Sequence, residues 1–279
     1  SLPGGVSLNT STGEITLSSS TIASYTITYT VSGVSSSVPM AITAASFANV
    51  YSMAFDGVDD YIDCGNDTSL QFSGSFTISA WVKINDSGTN AIVSKDSNAG
   101  QGFGYHIDFR SGNAVHAWAY DANDKITFTG LSTGVWYHVV YVFESTGGSN
   151  GNQSLYVNAA TPTTGSTTNF AASTVKNLRI GASEMISGIQ MNGNIDEVAI
   201  WSSELGASEV TQIYNSGTPI ALDSNVGNYT SSANLISWYR MGEEATWDGS
   251  NWTLEDQGSG GNDGTSQNMV EADREEDTP

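Results

Sequence analysis

Basic residues are scarce in this 279-residue chain: 8 Lys and Arg stand against 29 Asp and Glu, giving a formal net charge of -21 at pH 7. A surface of that sign repels polyanions, so nucleic acid and anionic membrane are excluded as direct partners. Cysteine occurs once, as Cys64, which rules out an internal disulfide and leaves the fold to packing, strand pairing and any bound metal. With no second cysteine at zinc-type spacing, Cys64 reads as a buried core thiol and not as a nucleophile. Charged residues make up only 13% of the chain, against about 25% in typical domains; Gly, Ser, Thr and Asn fill the polar positions. No run reaches the roughly 20 apolar residues that span a bilayer, and residues 1–20 lack the basic-then-apolar layout of a signal peptide. The polar turn at Ser1–Gly5 and the acidic run from Glu271 to Pro279 read as cuts within something longer.

Catalytic constellations are missing too. His106, His116 and His138 have no helical zinc-protease spacing, and neither a Gly-rich phosphate loop nor a serine elbow is present. Glycoside hydrolysis needs two opposed carboxylates, yet no strand carries a closely spaced acidic triplet, while Glu243-Glu244 and Glu275-Glu276-Asp277 fall in loop-like sequence. The chain is expected not to be an enzyme.

What the sequence does contain is strand patterning. Hydrophobic residues at 38% allow a core, and area scaling predicts roughly 70% burial at this size. Residues 12–43 alternate apolar and hydroxyl side chains through Ile15, Leu17, Tyr25, Ile27, Tyr29 and Val31, the period of half-buried strands. From Ser52 to Gly217 strands recur between Gly, Asn and Asp turns, as in a sandwich or jelly roll. Phe76, Ile78, Ala80, Val82 and Ile84 share one face. The Tyr137–Phe143 strand is apolar on both faces and reads as central. One helix is expected, over 207–215, with Glu209 near its start and Gly217 past its end; it is expected to plug one end of the sandwich.

The segment 103–120 permits a finer reading. Tyr105, Ile107 and Phe109 alternate with His106, Asp108 and Arg110, and Val115, Ala117 and Ala119 alternate with His116, Trp118 and Tyr120. A three-residue loop, Ser111-Gly112-Asn113 with Asn113 left-handed, sets Asp108 opposite His116 and His106 opposite Trp118. Aromatic platforms beside carboxylate, imidazole and guanidinium groups suit sugar rings. His106, Asp108, Arg110, His116, Trp118 and Tyr120 are therefore the candidate glycan-binding residues, with the competing reading that a loop or a neighbouring subunit covers this face. Trp81, Trp136, Trp201 and Trp238 read as core.

Four blocks carry a resemblance. Ser52-Met53-Ala54-Phe55-Asp56-Gly57-Val58-Asp59-Asp60-Tyr61-Ile62, Phe76-Thr77-Ile78-Ser79-Ala80-Trp81-Val82-Lys83, Gly134-Val135-Trp136-Tyr137-His138-Val139-Val140 and Gly193-Asn194-Ile195-Asp196-Glu197-Val198-Ala199-Ile200-Trp201 resemble the laminin G-like, concanavalin A-like family, in family order. The resemblance implies an all-β fold: a concanavalin A-like two-sheet jelly roll over 47–218 with a short helix after the last strand. Residues 1–46 resemble the later strands of immunoglobulin-like repeats in bacterial and phage surface proteins, a partial Ig-like β module. Residues 219–279 resemble a linker motif leading to a further module.

The family resemblance also implies a structural calcium joining the first strand to the last, where Asp56 and Asp196 occupy the matching positions with the Gly57 carbonyl and Asp59 or Asp60 beside them. The alternative is that these are solvated turn carboxylates. The opening strand is similar to that of marine bacteriophage virion appendage proteins, which implies a display or adhesion protein on the virion surface or outside the cell. Its expected partners are other virion or surface-protein subunits, in an oligomer, and host cell-surface glycans; a secreted bacterial adhesin or a structural assembly module without sugar binding is the alternative.

Overall fold

The computed structural model describes residues 47–95, 103–120, 124–171 and 173–279, the side chains of Phe103 and Tyr120 apart, together with four backbone strands nearer the N-terminus. The chain divides into two compact units, Ser1–Ala48 and Asn49–Pro279. In the first, β1 (Val6–Leu8) pairs antiparallel with β2 (Ile15–Leu17), and β3 (Ala23–Val31) with β4 (Val34–Ile42). The Ig-like reading of 1–46 turns on side chains that lie outside the described residues.

The second unit is an all-β two-sheet jelly-roll sandwich. Its strands in chain order are β5 (Ser52–Asp56), β6 (Tyr61–Asp63), β7 (Phe76–Ile84), β8 (Asn90–Lys95), β9 (Phe103–Arg110), β10 (Ala114–Tyr120), β11 (Ile126–Thr129) and β12 (Trp136–Gly147). Then come β13 (Asn150–Val157), β14 (Thr163–Thr167), β15 (Leu178–Ile180), β16 (Asn192–Trp201) and the helix α1 (Ala207–Tyr214). After the helix the chain adds β17 (Leu235–Tyr239), β18 (Ala245–Trp247), β19 (Trp252–Leu254), β20 (Gly264–Gln267) and β21 (Arg274–Glu275). One sheet has nine strands in the order β11-β10-β9-β8-β15-β6-β20-β19-β18; the other has eight on the path β14-β13-β12-β7-β16-β5-β21, with β17 pairing β16.

The core lies between the sheets, and the alternation in the sequence puts it there. Phe76, Ile78, Ala80, Val82 and Ile84 of β7 meet Tyr105, Ile107 and Phe109 of β9 and Val115, Ala117 and Ala119 of β10 in one cluster. β12 is central, flanked by β13 and β7, and Val140 and Val142 on its outer face are buried as well. Cys64 is 3% exposed, and burial pushes its thiol up to about 12, consistent with an inert core group. Trp81, Trp201 and Trp238 are buried; Trp136 is only half-buried and donates its indole N–H to Asp277 at 3.0 Å.

Two features differ from the sequence reading. The region 219–279, read as a linker, supplies strands to both sheets: β20 pairs β6, β21 pairs β5 and β17 pairs β16. Tyr239, Trp252, Leu254 and Met269 enter the same core cluster. The helix does not plug an end of the sandwich. It lies over the outer face of the eight-stranded sheet, where Ile213 and Tyr214 approach Trp81 and His138. Glu209 satisfies its first turn through the Gly206 N–H and reaches Thr230 and Ser231 beyond.

Candidate functional site

The outer face of the nine-stranded sheet is one continuous cross-strand row. Register places Trp118 opposite His106, His106 opposite Ser94, Ser94 opposite Arg179, Arg179 opposite Asp63, Asp63 opposite Thr265, Thr265 opposite Thr253 and Thr253 opposite Thr246. Side chains alternate across a strand, and since Ile62, Leu178, Ile180 and Leu254 enter the core, Tyr61, Asp63, Arg179 and Thr253 project outward.

The β9–β10 end of this row matches the sequence reading in register. Asp108 faces His116, His106 faces Trp118, and Asn113 is left-handed at φ 56°. The side chains form one network: His106 stacks on Trp118 with centroids 4.3 Å apart, and Arg110 holds Asp108 through Nε at 2.8 and 3.0 Å and Nη2 at 2.7 Å. Burial pushes the Asp108 carboxyl up, but His106 and Arg110 outweigh it and hold the acid below its ordinary range. Burial likewise lowers the His116 imidazole.

The network is nonetheless closed to a ligand. His106, Asp108 and Trp118 are each 0% exposed, while Arg110 and His116 are half-buried. The platform expected from the sequence is thus a sealed polar layer, the covered alternative. On the adjacent strand, the Ser94 hydroxyl, opposite His106, donates to the Ala182 carbonyl at 2.8 Å. The Tyr120 side chain lies outside the described residues.

The other half of the row is open. Tyr61, Asp63, Arg179 and Gln267 are half-exposed, and Thr246, Thr253 and Thr265 exposed. Arg179 lies over the Tyr61 ring, its guanidinium carbon 4.4 Å from the centroid. Asp63 accepts from Asn177 Nδ2 at 2.9 and 3.0 Å and from the Gly65 N–H at 2.9 Å. Sequence reasoning passed over these residues because they sit on strands of three or four residues, too short to show a period.

The expected calcium set is divided. β5 and β16 do lie side by side, but Asp56 pairs with Asn192, which leaves Asp196 four residues further along, about 13 Å away at strand rise. Asp56 joins Asp59 and Asp60 in one acidic group, and Asp196 joins Glu197 and Glu243 in another. Gly57 forms the turn of the first group, with φ 79° and no room for a side chain, since a Cβ there would meet Asn192 Cβ at 2.8 Å. Asp60 is raised to about 6 by burial and by the charges of Asp56, Asp273 and Asp59, against the pull of the Asp56 N–H.

The second group sits where β16 changes partner from β5 to β17, at a bulge that puts Glu197 at φ 48°. Asp196 is 0% and Glu197 3% exposed. Asn49 Nδ2 donates to Asp196 at 2.8 Å, Trp238 Nε1 to Glu197 at 2.6 Å and the Tyr51 N–H to Glu243 at 2.9 Å. Burial raises both Asp196 and Glu197 above the usual carboxylate range, with the charges of Glu197 and Glu243 adding to the rise at Asp196 and that of Glu243 to the rise at Glu197. Asn49 Oδ1 and Glu243 Oε2 are buried oxygens without a hydrogen-bond donor. An all-oxygen set with two orphaned acceptors fits a hard cation better than the first group, two of whose three carboxylates are exposed.

Two antiparallel sheets packed around one core define a concanavalin A-like jelly roll. The chain belongs to the concanavalin A-like lectin/glucanases superfamily, whose Laminin_G_3 model matches residues 56–211, more than half of it. No curated protein matches. Among solved structures, a "putative carbohydrate binding protein" from Bacteroides ovatus is 16% identical with a TM-score of 0.56, over 92% of this chain and 72% of its own. A heptameric SAP-like pentraxin from Limulus polyphemus is 16% identical with a TM-score of 0.47, over 60% and 82%.

Proposed function

We propose that this chain is a non-enzymatic carbohydrate-binding module of a surface protein, acting through the open half of the nine-stranded sheet. The observation that carries this reading is the accessible row of carboxylate, guanidinium, phenol, amide and hydroxyl groups on a rigid sheet, a donor and acceptor set suited to sugar hydroxyls. The carbohydrate binding named for the Bacteroides ovatus protein of the same fold supports it. Hydrolysis requires two carboxylates facing each other across a bound sugar. The tightest acidic group with deep burial, at Asp196 and Glu197, is closed instead to a substrate.

The virion-surface or extracellular setting, and assembly with other subunits, belong to the same proposal and rest on the resemblance of the opening strand to virion appendage proteins. Calcium is assigned to Asp196, Glu243 and Asn49 Oδ1, where it would neutralise buried carboxylates and fasten β16 to the segment entering β5; it would supply no catalytic chemistry. A glycan array probed with the full chain tests the binding reading. Retention that falls roughly tenfold or more in Tyr61→Ala combined with Thr265→Ala is expected; no retained glycan, or retention untouched by the double substitution, sinks it.

A second reading, assembly without sugar binding, draws on β14. This strand ends the eight-stranded sheet with Thr, Gly and Ser and no charge or Pro, so nothing in it blocks strand addition by a neighbour. Light scattering that finds a stable oligomer, together with a silent array, would favour it.

A further inference from the structure

Most of the eight basic residues have a hydrogen-bonding partner for the charged head. Lys83 meets Asp277, Lys176 meets Glu184, Arg110 grips Asp108 and Arg240 reaches Glu197. Lys95 is held by Asn66 Oδ1 at 2.5 Å and the Lys176 carbonyl at 2.7 Å. Arg179 differs. It stands mid-sheet on the open row, stacked on Tyr61, and its Nε is buried with no acceptor. The carboxylate directly across the strand pair, Asp63, is bonded to Asn177 and Gly65 instead.

The Arg179 Nε is shut off from solvent, so the part of this half-exposed side chain open to an incoming acceptor is its outer edge, which no acidic side chain of the described residues engages. The planar fork of Arg matches a carboxylate through two parallel hydrogen bonds, a geometry that a sugar hydroxyl cannot reproduce. Stacking on Tyr61 fixes the plane of the guanidinium. Gln267 lies opposite Tyr61, and Thr265 and Thr253 follow Asp63 along the row, so hydroxyl-binding groups flank the cation. Repulsion from the chain's net charge is screened beyond about 8 Å at physiological salt, which leaves the local cation to decide.

Resting on the sugar-binding reading above, we propose that Arg179 recognises the carboxylate of an acidic sugar, a uronic acid or a sialic-acid-type residue, lying over Asp63, Thr265 and Gln267. The test uses the full chain and matched ligands: glucuronides against glucosides, sialyllactose against lactose. The acidic member of each pair is expected to bind roughly tenfold or more tightly. Arg179→Gln should erase that preference, bringing the acidic member of each pair down to the affinity of its neutral partner, and methyl esterification of the uronate should do the same without altering the protein. Equal binding of acidic and neutral partners, or an ester that binds as well as the free acid, overturns the acidic assignment while sugar binding stands. Absence of binding to every ligand overturns the sugar-binding reading itself.

Discussion

His138 shows how much one buried side chain can impose on solution behaviour. Its Nε2 lies 2.7 Å from the Ser79 hydroxyl, its ring stacks on Trp81, and burial lowers its imidazole to about 3. The folded state therefore holds it neutral while the unfolded chain protonates it below 6.5. The contribution is complete above that value and is lost as the pH falls towards 3, at about 1.4 kcal/mol per pH unit. Glu197, which lines the same small cavity of about 10 Å³, has the opposite sign. Its raised carboxyl keeps a proton in the fold that the unfolded chain gives up above 4.5, so stability falls as the pH rises past that point. In chelator, urea melts should show a stability plateau in mildly acidic buffer with losses on both sides. His138→Asn should flatten the acid limb and Glu197→Gln should make the alkaline one shallower, the raised Asp196 and Asp60 supplying the remainder; unchanged limbs in both variants would count against this assignment. The polar character of His138 was legible in the sequence, but its burial was not, because α1 returns to cover it from seventy residues away.

Pairing of elements explains which parts of the site could be read from sequence. The β9–β10 register was legible because a tight turn fixes it locally: Gly112 and Asn113 both adopt positive φ, and a one-residue slip would turn the core residues outward. The closure of that hairpin was not legible, since alternation along a strand says which side chains share a face and not whether that face is covered. The same limit applies to the cation. Adjacency of β5 and β16 follows from the family blocks, but no local rule gives their offset, and an offset of four residues moves Asp196 away from Asp56. Family membership survives this, because it rests on the matched segment 56–211 and not on a shared ion. Differential scanning fluorimetry should show calcium raising the melting temperature of the wild type. The rise should vanish in Asp196→Asn and persist in Asp60→Asn; the reverse pattern would move the ion to the β5–β6 turn.

Across the whole molecule, the second unit depends on its last sixty residues. β20 lies against β6 in the interior of the nine-stranded sheet, and Trp252, at 2% exposed, fills the core beneath it. Trp252→Ala should cost about 3–5 kcal/mol, read as a shifted urea midpoint with full secondary structure retained before the transition. A chain ending at Gly217 should give no cooperative melt, whereas residues 49–279 should; a sharp transition in the shorter chain would show that the added strands are dispensable. The sequence hid this integration because β18 and β19 are three residues long and carry turn-like neighbours such as Asp248-Gly249-Ser250-Asn251.

The strand order has a further consequence for biosynthesis. β5 is clamped between β16 and β21, and β6 between β15 and β20, so the first two strands of the second unit find their partners only in its later half, one neighbour of each among its last strands. Those strands stay unpaired until β15 and β16 have been made and paired on one side only until β20 and β21 follow, so late, non-local pairing of open strand edges is built into the topology.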